Sequence, residues 1–145
     1  FSPERTGGLP LQEFISHGFS GKSSEEELRS FVMGGGGLVA YLGTNSVVEA
    51  EERIARGDRI AREVLEAMAY QVAKEIGAMA SVLRGKVDAV VLTGSVARSP
   101  MVTSWVGERV RFIGPLFIYP GDDEMGSLAA AGLRVLRGEE TAKEY

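Results

Sequence analysis

No cysteine occurs in this sequence, and histidine occurs once, at His17. The first absence excludes a disulfide framework and any thiolate metal site. The second rules out a histidine-rich metal centre and leaves a Ser-His-Asp hydrolase a single choice of base. His17 itself reads as a residue at a helix end. Long apolar runs are also missing, and none approaches the roughly 18 residues that a membrane-spanning helix needs. Long basic runs are missing as well, and the net charge is −4 with both signs interspersed. That balance is unsuited to nucleic acid as the main partner. The opening stretch from Phe1 to Pro10 lacks the basic start and apolar core of a secretory leader. Together these absences lead us to expect a cytoplasmic protein with no membrane and no nucleic-acid partner.

What is present fits a globular domain. The chain has 145 residues, of which 44% are apolar and 25% charged, enough to bury a real core. Glycine is the one excess: there are 19, above the usual ~7%. The glycines sit at segment ends and in the run Gly34-Gly35-Gly36-Gly37, so they punctuate rather than form a low-complexity tract. The chain opens at Phe1 in a loop-like stretch and reads as part of a longer protein.

Two patterns mislead. Gly21-Lys22-Ser23 resembles the end of a phosphate-binding loop, but the position where that motif requires glycine holds Ser16, and no strand precedes it. Gly35 to Ala40 fits a dinucleotide-type GxGxxA, but it follows an acidic helix instead of a strand.

The organisation follows from capping and periodicity. Residues 1–23 read as an irregular leading segment with a short helix at Leu11–His17, and residues 24–145 as a helix-rich α/β unit. Ser24 to Glu27 and Ser46 to Glu49 each have the Ser-x-x-Glu form of a capping box, predicting helices to about Met33 and Gly57. Gly37–Leu42 is an apolar run that fits either a strand or a buried helical turn. Asp58 is the cap of a long helix to about Arg84, roughly 40 Å. Its apolar stripe is Ile60, Val64, Met68, Val72, Ile76, Ala80 and Leu83. A second stripe of Ala69, Ala73, Gly77 and Ser81 is all small and suits close helix contact, including one between copies.

Val87–Leu92 has the β-branched content of a strand buried on both faces. Ser99-Pro100 opens a helix to about Arg109 with Val102, Trp105 and Val106 inward, and Pro115–Tyr119 is a second strand. Asp122, Asp123 and Glu124 begin a further helix, where acids suit the dipole. Glu139–Tyr145 is predicted to be a short terminal helix. Alternating strand and helix indicate a parallel α/β unit. Two convincing strands are few beside the usual five or six of a sheet, so the sheet reads as truncated, with long flanking helices and faces left to be covered from outside.

Ligands of open α/β sheets bind beyond the carboxyl ends of strands. By that rule the best site is the run Val90-Val91-Leu92-Thr93-Gly94-Ser95-Val96-Ala97-Arg98-Ser99-Pro100, a buried strand leading through a small-residue turn into a helix. The pattern alone names no ligand, and a plain strand-to-helix turn is the alternative. The segment VDAVVLTGSVARS, however, resembles the adenosine motif of the acetate and butyrate kinases. The resemblance continues through FSPERTGGLP, FSGKSSEEEL, GGLVAYLGTNS, EAMAYQVAKEIGAMASVLRGKVDAVVLTG, YPGDDEM and LRVLRGEE, in family order. It implies a partial actin-like ATPase (ribonuclease H-like) lobe: the C-terminal part of the nucleotide side of a two-lobed carboxylate kinase.

The implied chemistry is phosphoryl transfer between ATP and a short-chain carboxylate such as butyrate, with Mg²⁺. The resemblance assigns Arg5 to the transferring phosphoryl group, and Gly94, Ser95, Val96, Ala97 and Ser99 to adenosine. It makes Thr44, Asn45 and Ser46 a second nucleotide loop and Glu124 the magnesium-associated carboxylate. It also implies that the other lobe lies upstream, that this part alone is inactive, and that copies associate through this lobe. The sequence departs from the family at three places. Ser95 stands where a second glycine is usual, Ser46 where an aspartate is, and Val48 where an arginine is. These departures keep open a second reading, a degenerate module that binds nucleotide or oligomerises without catalysis.

Overall fold

The structure is a computed structural model that describes residues 1–121 and 124–142. It has α1 (Leu11–Gly18), α2 (Glu25–Val32), α3 (Gly37–Leu42), α4 (Val47–Ala55), α5 (Arg59–Val82), β1 (Val90–Thr93), α6 (Pro100–Val110), β2 (Leu116–Tyr119) and α7 (Glu124–Leu136), with a 3₁₀ turn at Ser95–Arg98 between β1 and α6. The ambiguous run Gly37–Leu42 is helical. It stops at Gly43, whose φ of 73° places it in the left-handed region that glycine enters without steric cost.

Helix α5 organises the domain, packing against α6, α4 and α3. Asp58 caps it by accepting from the Ala61 N–H at 3.0 Å, which satisfies one of the free amides of the first turn. The buried residues on α5 are Ala61, Leu65, Met68, Ala69 and Ala73. The predicted apolar stripe is therefore rotated. Ile60 and Leu83 lie exposed, while Val64, Val72 and Ile76 form its half-buried border. Half of the small stripe is spent inside the molecule, since Ala69 and Ala73 belong to the core and only Gly77 and Ser81 remain more open. The small residues allow α5 to be approached closely by its neighbours, and Leu38, Leu65, Met68, Val106 and Val110 fill the centre with essentially no exposure.

Among the described residues the sheet has two strands, parallel, with Val90 opposite Leu116 and Thr93 opposite Tyr119. Two sequence expectations are corrected here. The strand begins at Val90, because Val87 to Ala89 approach it as irregular chain. It is covered on one face only: Val90 is buried, but Val91 is 54% exposed. The continuous apolar run belongs to a strand whose second face is uncovered among the described residues. The predicted terminal helix is also absent from its described part, since residues 139–142 are non-helical. There Glu140 turns back to accept from Arg134 Nε at 3.1 Å.

The leading segment folds onto the α2–α3 connection. The Gly34 N–H donates to the Glu4 carbonyl at 2.9 Å, and Arg5 forms an isolated antiparallel bridge with Met33. Glycine is required at this contact. A Cβ on Gly37 would meet the Ser2 carbonyl oxygen at 1.8 Å, and φ there is 61°. The glycine run that imitates a dinucleotide motif is thus a seat for residues 2–6.

Candidate functional site

Beyond the carboxyl end of β1 the chain turns at Gly94, with φ 81° and ψ −175°. This conformation is open to glycine almost alone. The 3₁₀ turn follows at once, and Ser99 then caps α6 by accepting from the Val102 N–H at 2.9 Å. Pro100 at the first helical position costs no hydrogen bond, because that amide would be unpaired anyway. A short β-strand, a strained glycine and a capped helix therefore fix the direction in which Ser95 and Val96 face.

They face the start of α4. A cleft of about 300 Å³ is walled on one side by Asn45, Ser46, Val47, Val48 and Glu51 and on the other by Ser95, Val96, Arg98 and Ser99, with Pro3 at its rim. That volume lies at the small end of the range for ligand sites and suits part of a ligand rather than all of it. A side-chain hydrogen bond joins its two walls. The Ser99 hydroxyl donates to Glu51 Oε1 at 2.6 Å, across 48 residues of sequence.

Five of the eight residues assigned to the nucleotide, namely Asn45, Ser46, Ser95, Val96 and Ser99, line this cleft. The other three shape it. The Thr44 hydroxyl donates to Glu49 at 2.7 Å and accepts from the Ser46 N–H at 3.1 Å. This holds the 44–46 loop, and it also explains why the second expected capping box is only half made: Ser46 accepts from the Glu49 N–H at 3.2 Å, while Glu49 turns to Thr44. Gly94 supplies the turn. Ala97 is buried and is not among the residues that line the cleft. Ser99 is 4% exposed, and its hydroxyl is occupied by Glu51 and the α6 amide.

Ser95 needs no unusual backbone, since Arg84 is the only non-glycine with positive φ among the described residues. Serine in place of a second glycine therefore adds a hydroxymethyl group to the wall without straining the turn. Val48, standing where the family has an arginine, is 64% exposed at the cleft mouth.

Arg5 is exposed, with its backbone N–H donating to Ser2 Oγ at 3.2 Å. Its neighbour ties it to the cleft: Asn45 Nδ2 donates to Glu4 Oε1. Asp122 and Asp123 lie outside the described residues, and Glu124 is placed only as the first residue of α7. Among the described residues no group of three His, Cys, Asp or Glu stands ready to hold a metal ion. Magnesium is in any case usually held by one or two carboxylates and by substrate phosphates rather than by a protein cage.

Pro3, Glu4 and Glu51 were not singled out in the sequence. Glu51 had a weak signal, lying four residues after Val47 on the same face of α4, but it is hidden in a run of charges that looks like a solvated surface.

A larger groove of about 680 Å³ lies elsewhere, between the second half of α5 (Val72, Ile76, Met79, Leu83) and the β1 region (Val90, Val91). It has the apolar lining of an uncovered packing surface, and the chemistry-bearing residues are not in it.

No protein-family model matches the chain. Over all 145 residues it is 49% identical to a probable butyrate kinase of Listeria monocytogenes, covering 41% of that protein. It is 51% identical to probable butyrate kinase 2 of Caldanaerobacter subterraneus and 48% identical to butyrate kinase 2 of Clostridium acetobutylicum, in each case over 41% of the relative. The fold matches the acetate kinase of Porphyromonas gingivalis with a TM-score of 0.79 at 17% identity, over 92% of this chain and 40% of that one. It matches a propionate kinase of Francisella tularensis with a TM-score of 0.67 at 22% identity, over 77% and 29%. No helix of the described residues is long and apolar enough to cross a membrane. The chain thus carries part of the actin-like ATPase fold of the acetate and propionate kinases, and it is homologous from end to end to about two fifths of a butyrate kinase.

Proposed function

We propose that the cleft between α4 and the Ser95–Arg98 turn takes the adenosine of ATP, in a chain that forms the C-terminal part of a cytoplasmic carboxylate kinase. In the whole enzyme a carboxylate oxygen of a short acid such as butyrate attacks the terminal phosphorus of ATP. The new P–O bond replaces the one to ADP, giving an acyl phosphate and ADP.

The observation that carries this reading is the convergence of the 44–46 loop and the strand-end turn on one cleft, at the place where open α/β sheets bind ligands. Arg5, one residue from the Glu4–Asn45 bond, is the cation we assign to the phosphate side, since a guanidinium fork suits phosphoryl oxygens. Glu124 is the residue for a magnesium ion, which would neutralise charge on the phosphate oxygens. The apolar groove and the bare face of β1 await the rest of the enzyme, and the open end of α5 is available for contact between copies. Alone, the chain lacks the other lobe and is inactive.

The test is acyl phosphate formation, trapped as hydroxamate. The purified 145-residue chain with ATP, Mg²⁺ and butyrate should form none. A chimera in which it replaces the matching part of Clostridium acetobutylicum butyrate kinase 2 should be active. Arg5→Ala in that chimera should lower kcat more than it raises KM for ATP, as expected for an interaction made in the transition state. Activity in the isolated chain, or a folded chimera without activity, would overturn the reading.

A further inference from the structure

We infer that Glu51 is a specificity-determining residue of the cleft, accepting a hydrogen bond from a donor group on the nucleoside. The inference rests on the nucleotide reading of the cleft and deepens it. Glu51 lies on α4 and lines the cleft. One of its oxygens, Oε1, is held by the Ser99 hydroxyl at 2.6 Å, and that hydroxyl is fixed in turn by the Val102 amide on a residue only 4% exposed. A carboxylate anchored this way has little rotamer freedom left to lose on binding. Its other oxygen has no partner among the described residues.

A half-buried carboxylate can only accept, so it recognises hydroxyl or amino hydrogens and rejects acceptors. The layout says which part of a nucleotide meets it. Asn45 is tied to Glu4 beside Arg5, on the phosphate side. Glu51 stands on α4 five residues past its cap Ser46, about 7.5 Å along the axis at the rise of a helix. It therefore faces the nucleoside end, past the valines Val47 and Val48. The same cleft wall holds Ser46, whose hydroxyl is already committed to the Glu49 amide as a helix cap. Glu51 is the carboxylate of that wall. The donors in reach are of two kinds, ribose hydroxyls and the amino group of adenine.

The experiment is titration calorimetry on the 145-residue chain with ATP, 2′-deoxy-ATP and inosine triphosphate. The last two each lack one kind of donor. The unmodified chain should bind ATP and bind one analogue roughly tenfold or more weakly, in line with a hydrogen bond to a charged acceptor. Glu51→Gln keeps an oxygen for the Ser99 hydroxyl but turns an amide donor toward the ligand. It should bind ATP as weakly as the unmodified chain binds that analogue, and should no longer distinguish the two. Glu52→Gln, on the exposed side of the same helix, should change neither value. Thermal unfolding without ligand serves as the folding control: a ligand-free Glu51→Gln that melts like the unmodified chain yet keeps full ATP affinity and selectivity would overturn the assignment to Glu51 alone. Absence of ATP binding by the unmodified chain would overturn the cleft reading itself.

Discussion

The two halves of α5 lead different lives. In the first half Ala61, Leu65, Met68 and Ala69 are buried against α3, α4 and α6. In the second half Met79 is 56% exposed and Val82 71%, and Leu83 just past its end is 53% exposed. The sequence of the helix gives no warning of a boundary, because apolar residues recur along all of it. What changes is the supply of partners. The chain closes a core around the cleft end of the molecule and leaves the far end of α5, one face of β1 and most of α7 without cover. Exposed apolar surface of this extent on one side marks an interaction surface. The lesson is that this domain is complete where it forms the cleft and incomplete where a larger sheet would lie.

The sharpest way to break that comparison is to cut side chains at each end. Leu65→Ala, at a fully buried site, should cost about 2–5 kcal/mol by urea denaturation, from lost burial and the cavity left behind. Val82→Ala in the isolated chain should stay within about 0.5 kcal/mol. Equal costs would mean the two halves are covered alike. In the full-length chimera the Val82 value should rise, since its surface is then buried.

Glycines give a smaller contrast with opposite signs. Gly37→Ala puts a methyl group onto the Ser2 carbonyl at positive φ, and should destabilise by about 1–3 kcal/mol while freeing the leading segment. Gly77→Ala adds a methyl group where nothing lies within 4 Å, and should stabilise α5 by about 0.5–1 kcal/mol. Matching signs in the melting curves would contradict the placement of one or the other.

Acid should produce the least change. The Asp58 carboxyl is held below its usual value, first by the Ala61 amide and then by the Arg53 side chain. The bond from Arg53 Nε measures 2.8 Å. A depressed folded pKa gives stability that is present above the ordinary carboxyl range and lost as pH falls through the folded value. Glu27 is lowered in the same direction by the Ser24 amide and hydroxyl. Asp58→Asn should therefore flatten the acid side of the stability curve, and Glu27→Gln should do so in α2. An unchanged acid limb in the Asp58 variant would show that its cap carries no proton linkage.

The features legible in the sequence were local ones. Ser24, Asp58 and Ser99 announced their helices because a cap acts within three residues, and Gly94 announced its turn because few other residues fit there. The rotation of α5 was not legible. Its periodicity permits several buried faces, and only the arrival of α4 and α6 selects the one through Leu65. The second cover of β1 was legible as a need but not as an object. Within the site, both loops could be read, but their meeting could not, because the Ser99–Glu51 and Asn45–Glu4 bonds join distant segments. Glu51 looked like any helix-surface charge until α6 was placed beside it.

The first six residues do more than lead into the fold. Pro3 forms the rim of the cleft, Glu4 restrains Asn45, and Phe1 lies against Tyr41 with ring centres 5.8 Å apart while also lining the apolar groove. A protease cut after Thr6 would thus alter the cleft and the apolar groove at once.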